Sequence, residues 1–326
     1  MSQHHVLRAS PETCHWGFFD AGLKPVLSVA SGDTVTMECV SGGPDVLPEG
    51  DGFDILPDHL AIHRGLEPRL GAHILTGPIA VEGAEPGDVL EIQILAIDPR
   101  QNWGYTRIRP LSGTLPEDFP IRRIWHTGST ASAASPPCRG VRRSSWRRFS
   151  ASWGVAPPPV YGAVTSIVPR EFGGNMDLKE LVAGTTLYLP VWAPGALFSA
   201  GDGHGVQGDG EVCVTALETA LSGTFRLVLR KDLKFDLPRA ETPSHHITMG
   251  FNEDLDDAAK TALRADDHAD RRAPRSLARG RLHVLQPRRR HAGDPAGRRQ
   301  QGHPRDAAEA LRGCPSKCLT REALLD

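Results

Sequence analysis

The chain has 326 residues, with 37 lysines and arginines against 39 aspartates and glutamates, so its formal net charge is −2. A chain this close to neutrality has no general attraction to nucleic acid or to anionic membranes, and no apolar run is long enough to cross a bilayer. The six cysteines form no CxxC pair and the first residues contain no apolar signal-peptide core, so the composition predicts a reduced, cytoplasmic protein.

Residues 1–120 predict β structure. The stretch PVLSVASGDTVTMECV (25–40) indicates a strand, a Ser-Gly-Asp turn and a second strand with alternating apolar residues. The stretch GPIAVEGAEPGDVLEIQILAIDP (77–99) repeats this order, and Pro86 and Gly87 suit the centre of its turn. With 34 glycines and 27 prolines in the chain, many turns are expected.

Residues 154–263 predict a second β-rich part, with strands near 185–192 and 224–229. A helix is expected from about Glu253, with Asn252 as its N-cap. Its apolar side would consist of Leu255, Ala258, Ala259 and Ala262. The fold class predicted from these parts is a β-rich α+β protein, with a β-sandwich or barrel-like core and a few peripheral helices.

Two arginine-rich segments interrupt this pattern. Residues 121–153 contain seven arginines and no acidic residue, and residues 264–326 contain 14 arginines with little apolar periodicity. A basic RNA-binding tail is one interpretation, but lysines are few and glycines are not interleaved with aromatic residues. GC-rich DNA read in a shifted frame gives the same composition. We therefore predict that both segments are translated out of frame and lie outside the β core.

The stretch FSAGDGHGVQGDGEV (198–212) concentrates acidic residues around one histidine. If both ends are extended, Asp202 and His204 face one side, as do Asp209 and Glu211. A loop at 205–208 would bring the two pairs together, and mixed carboxylate and imidazole ligands suit zinc or a similar divalent ion. The alternative is a hairpin with two Asp-Gly turns and an exposed His204.

Four further residues are candidates for the same site. Asn175 and Asp177 follow paired glycines in GGNMD, and such a turn suits either substrate contact or a ligand. Glu82 follows an apolar strand and is predicted to project into a cleft or to be a solvated strand end. His73 is predicted to contact substrate or simply to begin a strand.

The motifs resemble the acetamidase/formamidase family. The resemblance is carried by HILTGPIAVEGAEPGDVLEI (73–92), WGYTRI (103–108), GVAPPP (154–159), PREFGGNMD (169–177), LYLPVWAPGALFSAGDGHGVQGDGEV (187–212) and PRAETPSHHITMG (238–250). It implies hydrolysis of short amides such as formamide and acetamide, a mostly β fold, a homo-oligomer and a divalent metal. Zinc is the preferred ion and calcium the alternative.

The resulting hypothesis is metal-assisted hydrolysis of a short linear amide. Asp202, His204 and Asp209 are predicted metal ligands, and either Glu211 or Glu82 is the predicted acid–base group. Asn175, Asp177 and His73 are predicted to bind substrate. Two alternatives stay open at this point: a non-catalytic β protein with a structural calcium ion, and an inactive product of a shifted reading frame.

Overall fold

The computed structural model describes residues 2–128, 148–270 and 280–285. Strands dominate this part of the chain and form an eight-stranded sheet, a nine-stranded sheet and a two-stranded ribbon. The helices found in the described residues are α1 (Pro57–Gly65) and α2 (Leu255–Asp270), and neither is long and apolar enough to cross a membrane. The predicted β-rich fold with few helices is confirmed.

The eight-stranded sheet is mostly antiparallel, with a parallel pair at each edge. With strands numbered along the chain, its order is β1 (His4–Leu7), β5 (Thr34–Glu38), β16 (Leu221–Arg230), β7 (Val89–Pro99), β13 (Thr186–Pro190), β17 (Arg239–Glu241), β18 (His246–Phe251) and β19 (Gly280–Leu285).

The nine-stranded sheet contains the strands that later position the site. Its main path is β12 (Gly173–Asn175), β10 (Phe149–Gly154), β14 (Phe198–Val206), β15 (Leu217–Glu218), β8 (Trp103–Ile108) and β9 (Arg123–Gly128). β6 (Ile74–Val81) pairs with β14, β2 (Cys14–Trp16) and β4 (Leu27–Val29). The ribbon pairs β3 (Phe18–Phe19) with β11 (Val164–Thr165).

The two large sheets share one apolar core. Trp153 on β10 and Phe225 on β16 meet edge to face, with ring centroids 4.9 Å apart, and Trp153 also stacks on Phe198 of β14. All three side chains are at most 2% exposed. Because these contacts join one sheet to the other, the molecule has the sandwich-like core that alternating apolar residues predict.

The turn between β6 and β7 forms as expected from EPGD. The amide of Asp88 donates to the carbonyl of Glu85 at 3.0 Å, which closes a four-residue turn. Gly87 has a φ of +90°, a conformation that a residue with a Cβ rarely adopts. Pro86 occupies the turn position before Gly87, and its ring fixes the φ that this position requires.

The expectation that residues 121–153 lie outside the β core is wrong at both ends of that segment. β9 pairs with β8 along its whole length, and β10 lies between β12 and β14 with every residue buried. Phe149, Ala151 and Trp153 alternate at the two-residue period of a strand, and all three are 0% exposed. Residues 129–147 lie outside the described residues, and the frame hypothesis stays a prediction.

The same expectation is wrong for residues 280–285 of the second arginine-rich segment, which form a strand of the eight-stranded sheet. α2 continues through residue 270, and β19 pairs in parallel with β18. Residues 271–279 and 286–326 lie outside the described residues, and the expectation for them stays a prediction.

Helix α2 begins at a different cap from the predicted one. The Oδ1 of Asp254 accepts from the amides of Asp256 and Asp257, while Asn252 accepts only from Asp254. Asp254 therefore caps the helix, since an N-cap oxygen binds the amides of the first turn. The predicted apolar side is confirmed at Ala258 and Ala262, which are fully buried, whereas Leu255 is 45% exposed.

Two buried histidines make the fold sensitive to acid. His15 packs against Phe18 and Phe19, and burial lowers its pKa to about 4, opposed in part by the Gly77 carbonyl. Burial likewise lowers the pKa of His59 to about 4, although its Nε2 donates to a backbone carbonyl. Because the folded pKa lies below the ordinary 6.5, the stabilisation is complete above pH 6.5 and is lost as the pH falls towards 4.

We expect the free energy of unfolding to fall between pH 8 and pH 5, with each of these histidines contributing about 2 kcal/mol of the loss. His15→Leu should remove the contribution of His15, so that the free energy of unfolding, measured by urea titration, varies less with pH across this range. His4→Leu is the control, because His4 is exposed. In this variant the free energy of unfolding should vary with pH as it does in wild type. An unchanged slope for His15→Leu would contradict the assignment.

Candidate active site

Strand β14 carries the centre of the site. β10 pairs along one of its edges, and β6 and then β15 pair along the other. Asp202 lies where β6 gives way to β15, and its φ of +59° departs from extended geometry. Aspartate tolerates this conformation better than most residues with a Cβ. The interruption leaves room for side chains to converge between the ends of the two neighbouring strands.

Three carboxylates converge on the imidazole of His204. Its Nε2 lies 3.2 Å from Oε2 of Glu218, 3.7 Å from Oδ1 of Asp202 and 3.7 Å from Oε1 of Glu211. The imidazole is 0% exposed and the three carboxylates are 4–8% exposed. We call these four residues the His204 cluster.

The His204 cluster concentrates negative charge in a place with little water. Burial on its own lowers the pKa of His204, but Glu218 and Asp202 outweigh burial and raise that pKa well above its ordinary range. Carboxylates buried side by side repel one another, and desolvation adds to the cost. A bound cation would offset both effects.

A second histidine supports Asp202 from the end of β6. Nε2 of His73 lies 3.5 Å from Oδ2 of Asp202, and Nδ1 of His73 lies 2.9 Å from the hydroxyl of Ser166. His73 is 6% exposed, so it faces the interior of the site. The structure thus places this predicted substrate-binding residue against a predicted metal ligand.

Asn175 and Asp177 reach the same region from β12. The hydroxyl of Ser152 donates to Oδ1 of Asn175 at 2.9 Å, and Nδ2 of Asn175 donates to Oδ2 of Asp177 at 2.9 Å. Asp177, His204 and Glu211 offer ligand atoms within 4.8 Å of one another, as do Asp202, His204 and Glu218. The two groups share His204 and therefore describe one centre.

Asp209 and Glu82 are placed away from this centre. Asp209 is 44% exposed and pairs with Lys179. Residues after β14 form turns rather than a strand, so Asp209 and Glu211 do not share a face as an extended chain would require. Glu82 is exposed beyond the far end of β6, nine positions from His73 and roughly 30 Å along an extended strand.

Glu218 is the functional residue that sequence reasoning missed. It lies directly opposite His204 in the pairing of β14 with β15, which explains the 3.2 Å approach. The hydroxyl of Ser41 and the amide of Ala216 both donate to its carboxylate. The stretch TALETALSG around it contains no motif, so only knowledge of the strand pairing could have identified it.

A small cavity opens next to the His204 cluster. Its volume is about 190 Å³, smaller than the 300–1,000 Å³ typical of sites for drug-sized ligands. Its lining is mainly hydroxyl, backbone and small apolar groups, from Thr106, Thr127, Val206, Gln207, Gly208, Gly210, Glu211, Thr215, Ala216 and Leu217. Glu211 thus belongs both to the cavity wall and to the cluster.

Comparison with known proteins identifies the family. Residues 6–158 and 160–253 match the sequence profile of the Acetamidase/Formamidase family. The chain belongs to the acetamidase/formamidase family. The match spans the whole of the first arginine-rich segment, residues 121–153, including β10.

Relatives named acetamidase or formamidase are similar to part or most of this chain. An acetamidase from Mycolicibacterium smegmatis is 30% identical over 198 residues, 43% of this chain and 49% of that protein. A putative formamidase from Schizosaccharomyces pombe is 28% identical over 299 residues, 70% of each. This chain thus spans about half the length of the first relative and more of the second.

Solved structures of the family share the fold. The crystal structure of an acetamidase from Bacillus halodurans has a TM-score of 0.68 at 30% identity, covering 82% of this chain and 85% of that one. A predicted acetamidase/formamidase from Thermoanaerobacter tengcongensis has a TM-score of 0.72 at 24% identity and covers 88% and 94%. The latter is similar in fold alone.

Proposed function

We propose that this chain hydrolyses short linear amides of the formamide and acetamide class to a carboxylate and ammonia, at the His204 cluster and with a divalent cation. The observation that carries the proposal is the convergence of three buried carboxylates on Nε2 of His204, beside a cavity of about 190 Å³. The family's relatives named acetamidase and formamidase support the choice of reaction.

The available ligand atoms fit a divalent ion that is borderline between hard and soft. Asp202, His204 and Glu218 would hold it, because all three are buried and their donor atoms lie within 4.8 Å of one another. An imidazole nitrogen together with carboxylate oxygens suits zinc, whereas calcium takes oxygen ligands. When bound, such an ion polarises a carbonyl oxygen and makes water more acidic.

Glu211 is the acid–base group that this geometry favours over Glu82. It lines the cavity and lies 3.7 Å from Nε2 of His204, while Glu82 is exposed at the far end of β6. Its carboxylate takes a proton from the attacking water as the new C–O bond forms. It then returns that proton to the amide nitrogen, so that the C–N bond breaks with ammonia as the leaving group.

The small volume of the cavity favours a short substrate. Thr106 and Thr215 bond to each other through their hydroxyls at 2.9 Å, so they form a fixed wall. Leu217 adds an apolar surface. We expect short amides to be better substrates than long-chain ones.

The test is ammonia release from formamide and acetamide by the purified chain before and after removal of metal. We expect turnover to stop after dialysis against a chelator and to return with zinc but not with calcium. Full turnover in protein shown by elemental analysis to be metal-free would contradict the cation. A zinc-loaded protein that releases no ammonia from either amide would contradict the amidase assignment.

A further inference from the structure

Gln207 bridges the His204 ring to the turn that follows β12. Its Oε1 lies 2.8 Å from Nδ1 of His204, and its Nε2 lies 2.8 Å from the backbone carbonyl oxygen of Asp177. Gln207 comes directly after β14, three residues beyond His204. It therefore touches the ring on the side opposite to the three carboxylates, which surround Nε2.

The two contacts determine the direction of both hydrogen bonds. A backbone carbonyl only accepts, so the group that faces Asp177 must be the amide nitrogen of Gln207. Its carbonyl oxygen then faces His204, and since that oxygen only accepts, Nδ1 of His204 must carry a proton. In the neutral ring the other nitrogen, Nε2, has the lone pair.

The orientation of the ring is fixed from a second side. Phe149 meets His204 edge to face, with centroids 5.1 Å apart, and His204 is 0% exposed. Bulk water does not reach the ring, so solvent would not readily replace the Gln207 hydrogen bond. Nε2 is consequently aimed at Asp202, Glu211 and Glu218 by packing and by one hydrogen bond together.

We propose that Gln207 is a positioning residue that holds His204 as the Nδ1–H tautomer and so presents the lone pair of Nε2 to a divalent cation. This inference rests on the proposed function, because it assumes that a cation binds at the His204 cluster. The proton that a cation displaces from His204 is then the one on Nε2. Gln207 would act on the cation through His204, to which it is hydrogen-bonded.

The decisive comparison is between two substitutions of Gln207. Gln207→Met has a similar length and removes both hydrogen bonds. Gln207→Glu keeps an acceptor for Nδ1–H, but it adds a negative charge and replaces the donor to the Asp177 carbonyl with an oxygen. Partners of this kind change metal affinity by about 10–100-fold. We expect zinc affinity, measured by competition with a chelator, to fall by that factor in Gln207→Met and to stay near wild type in Gln207→Glu.

A matched control tests whether loss of any buried glutamine has the same effect. Gln101 is buried and donates to the Trp103 carbonyl at 3.0 Å. Gln101→Met should lower the melting temperature and leave zinc affinity unchanged. The ¹⁵N spectrum of zinc-loaded wild type, with the His204 signals assigned by comparison with His204→Ala, should show a protonated Nδ1.

The outcomes separate this inference from the proposed function. If wild type binds zinc and Gln207→Met binds it equally well, or if Gln207→Glu is as weak as Gln207→Met, the positioning role is overturned and the zinc site stands. A protonated Nε2 in the zinc-loaded protein would also overturn it. If wild type takes up no zinc, the proposed function and this inference fail together.

Discussion

Glu218→Gln is expected to abolish both zinc binding and ammonia release. The substitution keeps the shape of the side chain but removes the carboxylate closest to Nε2 of His204, at 3.2 Å. Loss of a direct ligand should weaken zinc binding by more than the 10–100-fold expected for a partner that lies behind a ligand. Zinc content after gel filtration and turnover of acetamide measure the effect.

The matched control for this variant is Asp209→Asn. Asp209 is an acidic residue of the same sequence motif, but it is 44% exposed and paired with Lys179. Exposed ion pairs contribute little, so zinc content, turnover and stability should match wild type. If Glu218→Gln kept its zinc and Asp209→Asn lost it, Asp209 and not Glu218 would be the metal ligand.

Trp153→Ala is expected to destabilise the fold by about 3–5 kcal/mol, since a large buried side chain is replaced by a small one. Trp153 is 0% exposed and contacts Phe198 and Phe225, so it joins the two sheets. Small domains are typically stable by about 5–15 kcal/mol, and the variant should therefore unfold at a much lower urea concentration. Circular dichroism during urea titration measures the shift.

Val160→Ala provides the control for Trp153→Ala. Val160 is 87% exposed and lies seven residues further along the chain. We expect its unfolding midpoint to match wild type. If Trp153→Ala also left the unfolding midpoint unchanged, residues 149–153 would lie outside the core, as the arginine content of their segment first suggested.

Local sequence signals predicted the fold well where they act over short distances. The alternation in TVTME and the turn at Pro86 and Gly87 appear as predicted, because strand alternation and turn conformation depend on neighbouring residues. The error at 149–153 came from counting arginines over a wide window, which obscured the two-residue alternation of Phe149, Ala151 and Trp153. The arginine content is an average over a whole segment, whereas burial differs from one residue to the next.

The site was predicted only in part, because strand pairing is not visible in one sequence. Asp202, His204 and Glu211 were identified from a single short motif, and the structure brings them together. Glu218 required the register of β15 against β14, and Gln207 required the direction of two hydrogen bonds. Asp209 was assigned on the assumption of an extended chain, which the turns after β14 remove.

The position of β6 between early and late strands has a consequence for synthesis on the ribosome. β2 and β4 precede β6 in the chain, but β14 follows it by ~120 residues, or roughly 6–24 s at 5–20 residues per second. During that interval one edge of β6 has no partner, and Leu75 and Ile79, whose core cluster includes residues of β14, lack part of their final packing. Nascent chains stopped before β14 should therefore recruit chaperones, and release from them should coincide with the emergence of the strand that carries His204.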